Sequence, residues 1–572
     1  MGQTSRSDYY LGARSLSPLS LACSTIATQC STNSLLGAPA FVGFALGGGL
    51  LWLQYELAVP LAMLAVMLLL LPMRRAGVIS IYEFLEQRLG LGARLVASLS
   101  FQVFRGVATG VTVYGVALVL TLIIDVSFLA AVGLLMAVTI LYDLLGGMRA
   151  VVWSDVVQLV LLTGAVLVSL VMLAGDVGGF AAFFDGRTDT LDYHWGLSGD
   201  NYGFWPMLIG GFFLYAAYYG CDQSQAQRVL SARTEHETRL VLLYNGVLRF
   251  PLVLGYCVLG LGLAAYAGTD GGFVAGLPER ADGTPNYNLA YPFYVLQSFA
   301  PGLVGLVMVG IFAAAMSSID SSINALSAAT VEDCVARFAD LSERQLFLAS
   351  KGLTLFWGLF AVVFSFQVER IAPTVLEAIN KIGSLVNGPL LALFVIALAL
   401  PKVGQARAIL GFAGGIAVNA VLWLGMPQIS WLWWNVAGCL AALGLTALFA
   451  LVPGGAAAGP GPAAAPGSPA LPRRTVAAPL VRPSPAGAIW RSLLRGVDHR
   501  TMRRIRPSAL SVSTYRCPSG PSTTSRMRSP SSPSIDCWPT TWPSSMSTRR
   551  TSRSTRAPRN RSPSHSGWRL PR

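Results

Sequence analysis

Residues 313–333, AAAMSSIDSSINALSAATVED, place small and hydroxyl side chains inside an otherwise apolar stretch. Ser317 and Ser318 are adjacent hydroxyls one helical turn after Ala314. Hard cations such as sodium take oxygen ligands, and two hydroxyls with free carbonyls supply them without a permanently buried charge. Small residues alone would also serve close helix approach. Asp320, Asn324, Glu332 and Asp333 follow, the last pair at the cytoplasmic end. A second stretch, GGMRAVVWSDVVQ at 146–158, carries Asp155 and Gln158 on one helix face. An intramembrane carboxylate is costly unless it lines an aqueous path or pairs, so Asp155 is a functional candidate, with a helix-cap or interface aspartate as the bland alternative. A third, YYGCDQSQAQRVLSAR at 218–233, is polar through Asp222, Gln223, Gln225 and Gln227, with Arg228 and Arg233 read as inner-face anchors. Glu56 and Arg249 are ionisable residues within apolar runs, which usually face a cavity. A pocket with both signs suits a polyhydroxyl or zwitterionic solute, and Arg249 equally suits a carboxylate. Arg105 either belongs to such a path or pairs structurally with an acid.

The elements that position these residues are membrane helices. Of the 572 residues, 53% are hydrophobic and 12% charged, too little polar surface for a water-soluble globule. The formal charge of +14 lies in short loops and in the last hundred residues, which sets nucleic-acid binding aside. Cys23, Cys30, Cys221, Cys257 and Cys439 sit in apolar runs without CxxC spacing, so neither a disulfide framework nor a thiolate metal site is indicated. His194, His236, His499 and His565 are dispersed, no nucleophile, base and orienting group form a set, and an enzyme is not expected. Apolar stretches fall near 19–48, 52–72, 95–123, 127–146, 151–174, 204–230, 241–267, 303–331, 346–367, 371–400, 406–425 and 430–452, about twelve spans of an all-α polytopic membrane protein. Every second loop is basic: Arg74, Arg75, Arg88 and Arg94, then Arg149, then Arg228, Arg233 and Arg239, then Arg337, Arg344 and Lys351. Both chain ends are therefore expected on the cytoplasmic side.

Two spans are interrupted in composition. The first carries ATQCSTNS at 27–34 before Gly37 and Pro39, and the tenth carries NKIGSLVNGP at 380–389. Unwound turns expose carbonyls and helix ends that can hold an ion at the bilayer midplane, so a break is expected in each. Residues 1–18 read as a polar cytoplasmic segment, without the pattern of a cleavable signal peptide, and 19–452 as the membrane domain. Residues 453–572 turn to Ala, Pro and Gly and then Arg, Ser and Pro, a disordered tail whose bias also resembles out-of-frame translation of GC-rich DNA.

The three polar stretches, with DYYLGARSLSP at 8–18, YEFLEQRLG at 82–90 and INKIGSLVNGPLLALF at 379–394, resemble the hallmark segments of the sodium/solute symporter family over residues 8–450. The resemblance implies a LeuT-like five-plus-five inverted-repeat core with broken first and sixth-type helices, working by alternating access. The family's sodium site would map onto the carbonyls of Ala27, Cys30 and Ala314 and the hydroxyls of Ser317 and Ser318, and Asp155 matches the aspartate associated with sodium coupling. By similarity to the sugar-transporting branch, solute contacts would fall at Ser34, Glu56, Asp222, Arg249 and Asn380. SSINALSAATVED is instead more similar to the branch carrying iodide, vitamins and monocarboxylates. The family's leading helix, before the DYYLGARS-like stretch, is absent from this sequence.

The expected activity is sodium-coupled uptake of a small polar solute, sugar-like or carboxylate, across the plasma (inner) membrane, with sodium, the solute and the lipid bilayer as partners. An uncoupled facilitator or channel lacks a filter-like repeat, and a transporter-derived sensor lacks a foldable signalling module.

Overall fold

The computed structural model describes residues 6–451 apart from 31, 46–48, 125, 186–190, 200–201, 280–282, 372–374 and 401–402, and apart from the side chains of 33, 122–123 and 369–382. A short α1 (Arg6–Leu11) precedes α2 (Pro18–Gln29), which begins with proline at N1 and with the Ser17 hydroxyl accepting the Ser20 N–H at 3.1 Å. α2 stops at Cys30, whose ψ of 60° leaves the helical region, and α3 (Thr32–Phe44) follows. α4 (Leu53–Glu56) and α5 (Ala58–Ala76) follow, α5 ending on Gly77 in the left-handed region at φ 74°. α6 (Ile81–Arg88) is capped by Ser80 and leads into the long α7 (Leu91–Ile124).

α8 (Phe128–Asp176) joins the expected fourth and fifth spans without a loop. Gly147 kinks the chain at φ 52° and ψ −152°, and a Cβ there would lie 2.7 Å from the Tyr9 carbonyl oxygen. Both conditions require glycine. The sixth span is broken: α9 (Gly211–Cys221) and α10 (Gln223–Leu230) are separated by Asp222, extended at φ −96° and ψ 122°, whose side chain caps α10 by accepting the Ser224 N–H at 2.8 Å. α11 (Glu235–Thr269), α12 (Ala290–Ser298) and α13 (Pro301–Ala329) come next, α13 continuing through a π-helical turn into α14 (Ala336–Phe338). α15 (Glu343–Ile371), α16 (Val375–Ala399), α17 (Gln405–Gly425) and α18 (Leu432–Leu451) complete the bundle.

Each expected span thus coincides with helix. Among the described residues eight helices are long and apolar enough to cross a membrane, and the 49-residue α8 carries two of the expected spans. The first and sixth spans do not reach that length as single apolar helices, because their helices are broken.

The tenth span corrects the sequence reading. α16 runs unbroken through NKIGSLVNGP. Pro389 has no N–H to give the Leu385 carbonyl four residues back, and the Asn419 amide of α17 donates to that oxygen at 2.9 Å and to Ser384 O at 3.3 Å. Gly388 meets the α18 backbone, where an added Cβ would stand 2.2 Å from the Asn435 carbonyl oxygen. The Gly, Pro and Ser composition here serves close packing of three helices rather than unwinding. Pro39 in α3 acts similarly against α11, where a Cβ on Gly260 would lie 2.7 Å from the Pro39 carbonyl oxygen.

Basic residues gather with α1 at one end of the bundle. Arg6 reaches Glu332 and Glu343 at 2.9 and 2.7 Å, Arg149 reaches Asp8 and the Gly12 carbonyl, Arg233 donates to Ser15 O at 2.7 Å, and Arg14 donates to Gly77 O. Tyr9 and Tyr10 of α1 are fully buried there.

Candidate functional site

The break between α2 and α3 lies against α13. The Ser317 hydroxyl stands 2.9 Å from the Ala27 carbonyl oxygen and 3.1 Å from that of Ala314, and the Ser318 hydroxyl donates to Thr28 O at 2.8 Å. Ala27 and Thr28 lie in the last turn of a helix that stops, so few intrahelical N–H groups remain to take their carbonyls. Ala27, Ala314, Ser317 and Ser318 therefore form one oxygen-rich patch, with Thr28 as an added member. Cys30 is buried and its own N–H donates to Ile26 O at 2.8 Å. The donor set is carbonyl and hydroxyl oxygen throughout, which fits a hard cation such as sodium.

One step further toward the α1 end lies a charged layer. The Ser24 hydroxyl donates to Asp155 Oδ2 at 2.5 Å, and Arg228 Nη2 reaches the same oxygen at 3.2 Å. Arg228 also donates through Nε to Ser24 Oγ at 2.7 Å and contacts the Ser224 carbonyl and Ser321 hydroxyl, while Ser321 contacts the Ser317 carbonyl. Arg228 is only 1% exposed, so it is not the inner-face anchor that its place in the sequence implied. Because the break at Asp222 starts a new helix, α10 points inward and carries Arg228 to Asp155. Ser24, Ser321 and Arg228 are the members that sequence reading missed. The signal for Arg228 was its position one turn and a half after a polar break.

Beside this layer, Tyr142 donates to Asp320 Oδ2 at 2.5 Å, and Asn324 Nδ2 donates to Asp143 Oδ1 at 3.1 Å. Gln227 then links Asn324 Oδ1, at 3.0 Å, with the Tyr10 carbonyl, at 2.7 Å.

The residues expected to meet solute fall into two groups. Arg249 Nη2 donates to Glu56 Oε1 and to the Tyr215 hydroxyl, each at 2.9 Å, and its guanidinium lies 4.8 Å from the Tyr215 ring centre. Among the described residues Arg249 Nε and Nη1 are buried without a hydrogen-bond partner, and the Cys30 side chain stands beside the guanidinium. The first helix break and the arginine thus share one site. Asp222 does not join it: its carboxylate pairs with Arg105, which also lies 5.3 Å from the Tyr218 ring centre. The structural pairing weighed for Arg105 is the one observed. The rings of Tyr215, Tyr219 and Tyr218 of α9 lie in that order between the two arginines, with centres 6.2 and 5.4 Å apart, the first pair tilted and the second edge-on. Ser34 is half-buried, 3.5 Å from the Gln29 carbonyl oxygen, and the Asn380 side chain lies outside the described residues.

At the α1 end, Asp333 is fully buried yet satisfied: Arg94 Nε at 2.7 Å, Ser98 Oγ at 2.6 Å and Ser80 Oγ at 2.8 Å all donate to it. Arg6 spans Glu332 and Glu343. Burial would lower the Arg6 guanidinium, but the carboxylates of Glu343 and Glu332 more than offset it and hold the group above the ordinary arginine value.

Comparison with known proteins gives this geometry a family. The profile of the sodium:solute symporter family matches residues 9–415, more than half of the chain. The chain is 30% identical over 434 residues to the Homo sapiens sodium/iodide cotransporter, covering 74% of this chain and 66% of that protein. It is 29% identical over 442 residues to Homo sapiens sodium-coupled monocarboxylate transporter 1, covering 74% and 69%. The chain thus spans about two thirds of the length of these curated relatives. Among solved structures, a substrate-bound outward-open Na+-coupled sialic acid symporter superposes with a TM-score of 0.70 at 22% identity, over 78% of this chain and 92% of that one. Mhp1, a nucleobase-cation-symport-1 family transporter in a closed conformation with bromovinylhydantoin bound, gives a TM-score of 0.50 at 15% identity, over 78% and 94%. The helical architecture with broken first and sixth spans is the LeuT-type transporter fold, and its homologues are transporters rather than enzymes. This chain belongs to the sodium:solute symporter family.

Proposed function

We propose that the protein is a sodium-coupled symporter that carries a small organic solute bearing a carboxylate into the cell by alternating access. The observation that carries the reading is the Ser317 hydroxyl between the Ala27 and Ala314 carbonyl oxygens, at the break of α2. Sodium held there ties the broken helix to α13 and favours the conformation in which the solute site is formed. Asp155, held by Arg228 and Ser24 and linked through Ser321 to the Ser317 carbonyl, sets the local potential for the cation. Cys30 contributes from the break itself.

The solute meets Arg249, whose Nε and Nη1, on opposite sides of the guanidinium, each keep an N–H to donate to a carboxylate oxygen. Iodide and monocarboxylates, the solutes in the relatives' names, are likewise anions. A sugar-like solute is the second reading, supported by Glu56 and the Tyr215 hydroxyl, which accept or donate to hydroxyl groups. Ser34, Asp222 and Asn380 are further solute contacts on this reading, with Asp222 freed from Arg105 when the sixth-span break moves. An uncoupled facilitator or a transporter-derived sensor is not favoured, because the similar proteins are sodium-coupled transporters. The transporting unit is residues 19–452 with twelve crossings in the plasma membrane. Both termini are cytoplasmic, as the basic residues gathered around α1 support.

Uptake of a panel of monocarboxylates, amino acids, sugars and iodide into liposomes, with and without an inward sodium gradient, tests the reading. Sodium-dependent accumulation of a carboxylate is expected. Equal uptake with and without sodium would overturn the coupling, and accumulation of sugars alone would overturn the carboxylate assignment.

A further inference from the structure

The symport reading leaves a charge unaccounted for beside the proposed ion site. Asp143, Asp155 and Asp320 are all fully buried. Arg228 touches Asp155, and a sodium ion at the Ser317 carbonyl cage supplies a second positive charge. Three carboxylates against two cations leave one negative charge in a low-dielectric interior, which is costly unless a further cation or a proton neutralises it.

The hydrogen bonds say which carboxyl it is. Asp155 holds a guanidinium and the Ser24 hydroxyl. Asp320 is reached on one oxygen by the Tyr142 hydroxyl at 2.5 Å and on the other by the Ser321 hydroxyl at 3.0 Å. Asp143 holds only the neutral Asn324 amide on Oδ1, and among the described residues its buried Oδ2 has no partner. Groups facing it are Tyr142 of α8, Asp320 and Asn324 of α13, Arg228 and Gln227 of α10, Tyr9 and Tyr10 of α1, and Thr354 of α15. Arg228 is the cation in that shell, and it is committed to Asp155, Ser24 and Ser321.

We propose that Asp143 is a proton-binding site, loaded in the conformation described here and emptied toward the α1 end when α1 withdraws. The covering is specific. The Tyr9 hydroxyl lies 3.4 Å from the Asp143 carbonyl oxygen and 3.0 Å from Thr354 Oγ1, and Gln227 ties the Asn324 amide to the Tyr10 carbonyl. Withdrawing α1 exposes the carboxyl to water, the O–H bond breaks, and the proton passes to solvent, leaving a hydrated carboxylate. Reloading from the opposite side then moves one proton per cycle beside sodium, a consequence that rests on the symport reading, whereas the proton site itself does not.

Infrared spectroscopy of the reconstituted full chain at about pH 7.5 reads the site without any solute. The wild type is expected to show a protonated-carboxyl C=O band that shifts in deuterium oxide. Asp143→Asn should remove that band, Asp320→Asn should keep it, and Asp143→Glu, which retains a carboxyl if the asparagine variant misfolds, should move it. Arg6→Ala, which frees α1, should reduce it by at least half. Absence of the band in wild type, or its persistence in Asp143→Asn, overturns the site. An unchanged band in Arg6→Ala overturns the release route. Sodium-driven uptake measured on the same liposomes judges the symport reading separately.

Discussion

Two serine hydroxyls and the guanidinium groups of Arg228 and Arg249 carry most of the chemistry proposed for this transporter, and each makes a distinct prediction. Ser317 and Ser318 bridge α13 to carbonyls at the end of α2. Replacing both by alanine, in Ser317→Ala with Ser318→Ala, removes two oxygen ligands while leaving volume almost unchanged. Uptake should lose its response to a sodium gradient while the protein still elutes as a folded species in size-exclusion chromatography. Arg228 is different in kind, because it neutralises a fully buried carboxylate. Removing one partner of a buried pair costs about 3–5 kcal/mol. Arg228→Leu should therefore lower the thermal unfolding midpoint in detergent well below wild type, and adding Asp155→Asn should restore part of the loss. A midpoint for the single variant equal to wild type would show that the Asp155 charge is met by other means. Arg249→Lys keeps the charge and loses the fork. The KM for a carboxylate solute should rise tenfold or more with little change in expression.

At the scale of elements, breaks and kinks are decided by whether a neighbour supplies what the chain lacks. In α2 the chain leaves the helical region at Cys30, where ψ is 60°, and α3 begins at Thr32. In α16 the carbonyl freed by Pro389 is taken by Asn419, and the helix continues. Asn419→Leu should uncover that carbonyl and destabilise the α16, α17 and α18 packing by about 1–3 kcal/mol. A shift of the melting curve measures this, with Asn419→Gln as the partial rescue. The same three helices meet through small residues, for a Cβ on Gly415 would stand 2.5 Å from the Gly438 carbonyl oxygen. Close backbone approach here takes the place of interdigitating large side chains.

Across the whole molecule, short hydrogen-bonded steps run from the proposed ion site, from Ser317 through Ser321 to Arg228, and others run from Asn324 through Gln227 to Tyr10 at the α1 end. Sodium and solute must then act on one another reciprocally: if sodium tightens solute tenfold, about 1.4 kcal/mol of coupling, solute must tighten sodium equally. Binding titrations of each ligand at saturating levels of the other should return the same factor. The latch of Arg6 on Glu332 and Glu343 closes the α1 end, and a guanidinium keeps its charge through the physiological pH range. Arg6→Ala should speed tryptic cleavage at Arg14 several-fold, read by mass spectrometry, as α1 comes away.

The sequence by itself determined the all-helical membrane class, the approximate positions of the spans and the family, because apolar length and the polar stretches around Ser317, Asp155 and Asp222 are local properties of the chain. It also marked the first break, where polar residues interrupt an apolar run at 27–34. Only the tertiary structure decided the partners. Arg228 and Arg233 have similar surroundings in sequence, yet one is buried against Asp155 and the other meets Ser15 near the surface. Glu56, Asp222 and Arg249 looked like members of one pocket; Arg249 does pair with Glu56, whereas Asp222 is met by Arg105. Asn419, dozens of residues away, decides whether α16 breaks. Local composition fixes whether a helix can form or fail, but the cost of a buried charge or a freed carbonyl depends on which distant side chain arrives to meet it.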